Sequence, residues 1–155
     1  MLNVLSFYGI LVLIHILGAI CGIGAQFAQP FLLNKPKTVK QAEFAHQVNH
    51  GVDKLVVIGT FTLLISGLIM GILNTHLFTQ GWYLISLILF VTILPVAGAI
   101  VPKKAAQQVE ILKNHKGDQL PESYLTIKKQ AVPFYRYTYA ATVVIVILMV
   151  TKPFN

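Results

Sequence analysis

Charge is what this sequence has least of. Only 11% of its 155 residues are Asp, Glu, Lys or Arg, about half the share of an ordinary soluble domain. None of them falls in residues 1–34, 55–102 or 137–151. Such a chain lacks the polar surface to cover itself in water, which excludes an ordinary soluble globular domain. Cysteine is almost missing too. Cys21 stands alone, which excludes an intramolecular disulfide framework and leaves a small buried hydrophobe as the reading of that residue. No Walker sequence, nucleophile elbow or dinucleotide fingerprint occurs, so the common nucleotide-binding and hydrolase signatures are excluded. Acidic residues are scarce: five, against 12 Lys and Arg, for a net charge of +7.

What is present is apolar: 55% of the residues are hydrophobic. A spanning helix needs about 20 predominantly apolar residues, and the uncharged gaps accommodate four, at about 4–27, 55–73, 82–101 and 134–150. The reading is all-α, a four-helix transmembrane bundle forming one integral membrane domain over residues 1–155. The first span has no basic region and no clear small-residue cleavage site, so it reads as a retained helix that continues toward Pro30. Four Lys lie between Lys35 and Lys54, seven basic residues lie between Lys103 and Arg136, and Asn74–Gln80 has none. The positive-inside rule makes both basic segments cytoplasmic, with both termini and the short turn outside. That orientation and anionic lipid account for the positive charge without nucleic acid.

The short outer turn predicts that helices 2 and 3 are antiparallel neighbours. Helix formers run from Lys103 to about Asn114, and a further helix is expected from about Glu122 into the last span past Pro133, with a kink there. Gly18 and Gly22, and again Gly67 and Gly71, form the small-xxx-small spacing that lets membrane helices approach closely. Trp82, Tyr83 and the run FYRYTY at 134–139 read as interfacial aromatic belts.

Within LVLIHILGAICGIGAQ (11–26), His15 shares a helix face with Gly18, Gly22 and Gln26. An ionisable residue at mid-membrane depth is a functional candidate. Two readings stand side by side. His15 hydrogen-bonds to Ser66 or Thr92 at similar depth, or it is an axial ligand of haem b, with Gly18 and Gly22 leaving room for the macrocycle. Met70, about 8 Å further outward along its helix, is a candidate second ligand. A five-coordinate iron or a His15 from a second copy are the other options, so a homodimer or a larger membrane complex joins the lipid bilayer among the expected partners. Arg136 reads as a partner for a haem propionate, a lipid phosphate or Asp53, or as a snorkelling cation.

A second constellation is Glu43, His46, His50 and Asp53, spaced three, four and three apart and so aligned on one helix face. Two His four apart plus a carboxylate can share a metal. The same stripe also reads as a solvated polar face leading into the second span. These alternatives define the rival functions, a metal or small-solute permease component with a cytoplasmic Glu/His site, or a non-catalytic accessory membrane subunit.

LIHILGAICGIG, SGLIMG, the Val101-Pro102 pair and above all the ending VVIVILMVTKPFN resemble an uncharacterised bacterial family of small four-helix integral membrane proteins. That resemblance covers nearly the whole chain and implies no reaction. A first-helix histidine followed by small residues is also similar to the copper-resistance-D membrane domain and to the haem-dependent membrane protoporphyrinogen oxidase. The second resemblance implies haem binding at His15. The oxidase group also keeps a basic residue in a later membrane helix, and residues 82–101 have none.

Overall fold

Hydrocarbon offers no partner for a backbone N–H or C=O, so a segment crossing it must satisfy both internally, and a helix does this. The computed structural model describes residues 6–154, and four of its helices are long and apolar enough to span a membrane. They are α1 (Phe7–Leu33), α2 (Val39–Leu73), the continuous rod of α3 (Gly81–Pro95), a π turn (Val96–Ile100) and α4 (Val101–Asn114), and α5 (Glu122–Thr151). The fold is the all-α transmembrane bundle expected from the charge gaps. Val4, the expected start of the first span, lies outside the described residues.

Local chemistry sets the helix ends. Ser6 caps α1 by accepting from the Gly9 N–H at 3.1 Å, and Thr38 caps α2 by accepting from the Gln41 N–H at 3.3 Å, each satisfying a donor that a helix start leaves free. The helix α1 runs through Pro30 and closes where the Asn34 N–H reaches the Pro30 carbonyl at 3.1 Å. The 35 residues of α2 extend about 52 Å, against about 30 Å of hydrocarbon. Residues 55–73 therefore span, and 39–54 stand clear of the bilayer at the end carrying the basic segments. In the third rod Pro95 lacks an N–H and so interrupts the α ladder. The chain answers with a π turn, in which the Val101 N–H bonds to Val96 O, five residues back.

Close packing is concentrated between α1 and α2. A Cβ at Gly59 would strike the Gly22 Cα and lie 2.7 Å from the Gly18 carbonyl oxygen. The two backbones therefore touch there, as small residues permit in lipid. On the other side of the molecule α5 packs along both α3 and α4.

Helices 2 and 3 depart from expectation. They are antiparallel and joined by the short 3-10 turn Thr75–Thr79, but among the described residues they make no close backbone approach. The reason is the size of the intervening side chains. Tyr83 reaches across to donate from Oη to the Gly67 carbonyl at 3.1 Å, and Phe78 and Tyr83 fill the space over Gly71.

At the basic end a small aqueous-side core forms from Val39, Ala42, Leu112 and Tyr124, all nearly inaccessible. It ties the inner ends of α2, α4 and α5 together. The Val39 N–H bonds to Asp118 O at 2.9 Å. Lys128 Nζ donates to the Leu33 carbonyl at 2.7 Å, placing a cation at the negative end of α1. Outside this cap and the helix contacts, large apolar side chains such as Ile20, Phe31, Ile58, Ile72 and Val150 face outward, as contact with lipid tails requires.

Candidate functional site

Residue His15 faces α2, lying over Gly67, where an added Cβ would sit 3.5 Å from its Cε1. Its Nδ1 is 2.8 Å from Ser66 Oγ, so of the two hydroxyls expected at this depth Ser66 is the partner. Thr92 is engaged elsewhere, with the Leu89 carbonyl at 2.7 Å and with the Tyr137 hydroxyl.

The direction of the His15 bond follows from proton counting. Ser66 has one hydroxyl proton, and it points to the Thr62 carbonyl one turn back. Its oxygen must then accept, so His15 Nδ1 carries the proton and Nε2 keeps a lone pair. The side-chain hydrogen bond of the ring is made by Nδ1, and the Leu63 backbone carbonyl also lies within its reach.

The imidazole lines an apolar cavity of about 330 Å³ between the two helix pairs, walled by Leu63, Tyr83, Ser86, Phe90 and Met149 among others. The cavity exists because α2 and α3 are held apart. Four sequence-expected site residues lie elsewhere or are otherwise occupied. Gly18 and Gly22 face Thr62 and Gly59 of α2, so the room they leave is filled by that helix and not available to a macrocycle. Met70 is not among the cavity-lining residues, whereas Met149 is. Arg136 lines a separate cavity with Asn34, Gln108 and Tyr139. It sits 13 residues before Met149 on α5, about 20 Å along the axis. Sequence reasoning missed Met149 because depth alone does not say which face of α5 meets α1. Cys21, expected to be buried, is exposed on α1, since only one face of that helix packs on α2.

The inner stripe is divided. Glu43 and His50 are exposed. His46 is only 8% exposed and turns toward Tyr124, with Nε2 to Oη at 3.4 Å and ring centroids 6.1 Å apart, edge to face. Burial in the aqueous-side cap pushes its imidazole below the ordinary value, more than a bond to Gln108 holds it up. Asp53 bonds to two neutral amides, accepting from Gln29 Nε2 at 2.6 Å and from Asn49 Nδ2 at 3.1 Å. Among the described residues no three His, Cys, Asp or Glu side chains converge as metal ligands, so the set Glu43, His46, His50 and Asp53 is not assembled as a metal centre. One residue of the stripe packs inward while two face out.

At the opposite end Lys152 closes α5 in the left-handed conformation, φ 44°. Its Nζ lies 5.6 Å from the Trp82 ring centroid, and Phe154 packs over Gly81. The Lys-Pro-Phe ending thus folds back on the start of α3.

No curated protein and no solved structure matches the chain, and the expected resemblance to the copper-resistance-D domain and the oxidase finds no support there. A family model described as "Predicted integral membrane protein (DUF2269)" matches residues 9–153. That match runs through all four spanning helices, and the chain belongs to this family of multi-pass membrane proteins.

Proposed function

We propose that this protein binds haem b within the bacterial cytoplasmic membrane through His15, for electron transfer or haem trafficking. One observation carries the reading. The Ser66 hydroxyl fixes the Nδ1–H form of His15, which leaves the Nε2 lone pair free beside an apolar cavity. A ligating His commonly donates its other N–H to a neighbouring oxygen, which sets its tautomer and raises its basicity. The donor set of the cavity fits a haem iron, with one imidazole nitrogen and the Met149 thioether on its wall. Bound haem would supply one-electron chemistry at a potential tuned by its axial ligands. In this reading His15 holds the iron, Ser66 orients the ring, and the aliphatic walls exclude water. Lys152, held at the neighbouring end of α5, takes the propionate-pairing role that Arg136 is too far away to fill.

The test is the absorbance spectrum of protein expressed with ample haem supply. A Soret band with reducible α and β bands is expected, lost in His15→Ala while the protein remains folded. Purified protein that carries no haem and takes none up would overturn the proposal.

A further inference from the structure

A second cavity, of about 500 Å³, lies toward the basic end, distinct from the His15 cavity. One end is polar, formed by Gln29, Asn49, His50, Asp53, Lys54 and Tyr135, and the rest is largely aliphatic, including Val56, Ile93 and Ala97. The Asp53 carboxylate takes one amide hydrogen bond on each oxygen, from Gln29 and Asn49, and Lys54, on the same wall, is exposed, so its long side chain carries the ammonium to the aqueous side. Asn49 is only 4% exposed, and its Oδ1 is buried without a hydrogen-bond partner. Flipping the amide does not repair this, because the carboxylate needs the Nδ2 donor on its own side. A buried carbonyl oxygen left unpaired is costly. Asn49, like Asp53, is a residue of the cavity's polar end. The π turn that follows Pro95 borders the same cavity. Its Ala97, with Val101 just after it, forms part of the aliphatic wall.

We propose that this cavity binds an organic cation, a protonated amine with an apolar body. Asp53 supplies the counter-charge, Asn49 Oδ1 accepts an ammonium N–H, and the Tyr135 ring offers its face to the charge. A bare metal ion is a poor match, since the space far exceeds one ion and most of its wall is hydrocarbon. The same chemistry can come from a soluble amine or from a lipid with an ethanolamine headgroup. A further cavity, lined by Glu43, His46 and Lys113, shares His50, Asp53, Pro102 and Ala105 with this one, so a route from the aqueous side adjoins the site.

The experiment measures equilibrium binding of phenethylamine to the full chain in phosphatidylcholine nanodiscs, a lipid without N–H donors, with phenethyl alcohol as the uncharged comparison. Saturable binding of the amine is expected, with the alcohol about tenfold weaker or undetectable and Asp53→Asn weakened by about tenfold or more, the loss typical of a charge-assisted hydrogen bond. Ala97→Phe should fill the aliphatic wall and abolish binding while leaving the carboxylate and its amides in place. This variant decides the matter if Asp53→Asn does not fold. Adding phosphatidylethanolamine separates the sources: competition identifies the lipid, and its absence a soluble amine. No saturable amine binding, equal binding of the alcohol, or full binding in Ala97→Phe would overturn the proposal.

Discussion

Single atoms decide the outcome at several positions in this bundle. Gly59 is the clearest, because the atoms that a side chain would strike belong to the Gly18 and Gly22 backbone and cannot rotate away. Gly59→Leu should separate α1 from α2 and cost more than the usual 1–3 kcal/mol, roughly, of overpacking. Gly24 and Gly51 are also helical, but nothing lies within 4 Å of an added Cβ, so Ala there should stabilise by about 0.5–1 kcal/mol. Thermal unfolding in one detergent compares the three, and equal stability of Gly59→Leu and wild type would show that the helices do not touch as described. The two methionines make a second contrast. Met149→Leu should alter the spectrum of a haem-loaded protein, because its thioether lines the His15 cavity, and Met70→Leu should leave it unchanged. The reverse pattern would place the cofactor on another face of the bundle. Ser66→Ala removes one interhelical hydrogen bond, worth about 0.6 kcal/mol on average in a membrane. Its larger expected effect is weaker haem retention, because the free ring is no longer oriented and held in the Nδ1–H form.

Between residues and the whole molecule stands the aqueous-side cap, where the inner ends of α2, α4 and α5 meet. Leu112 is 1% exposed within it, and Leu112→Ala should cost about 2–4 kcal/mol, the range for a truncated core leucine. The loss should fall on the cap alone, read as faster amide exchange in α4 with the spanning amides unchanged. His46 makes the same element sensitive to acid. Its folded-state pKa is depressed below the ordinary value of 6.5 by burial, so the unfolded form takes up a proton more readily. Stability is therefore complete above that value and declines as the pH falls below it. Exchange in the cap at about pH 7.5 and about pH 5.5 tests the sign, and His46→Gln should flatten the difference. Much of this element was legible in the sequence, since helix formers marked α4 and Pro121 preceded the start of α5 at Glu122. The inward turn of His46 was not, because a stripe of four polar residues on one helix does not reveal which of them meets Tyr124. The amide pair around Asp53 was hidden for the same reason: Gln29 reaches it from another helix, and only the crossing geometry sets that register.

For the whole molecule, the uncharged gaps coincide with four helices long and apolar enough to cross a membrane, because crossing imposes a hydrophobicity requirement on every residue of a segment, whatever its neighbours. Which helices touch is a matter of side-chain size, and there the short 74–80 turn misled. Tyr83 and Phe78 prop α2 and α3 apart, and the cavity beside His15 is the result. Orientation depends on neither packing nor cavities. Eleven of the 12 Lys and Arg lie in the segments 35–54 and 103–136, and the helix order places those segments at the end opposite the Thr75–Thr79 turn. By the positive-inside rule the basic end is cytoplasmic. Single cysteines at Thr79 and Lys113 test this in a Cys21→Ala background, a mild change because Cys21 is exposed on α1 and packs into no core. An impermeant thiol reagent applied to intact cells should label position 79 and spare position 113, with both labelled after the membrane is opened. Labelling of 113 alone in intact cells would invert the protein. The Asp53 cavity would then open toward the outside of the cell, and the amine-binding end and the cytoplasm would lie on opposite faces.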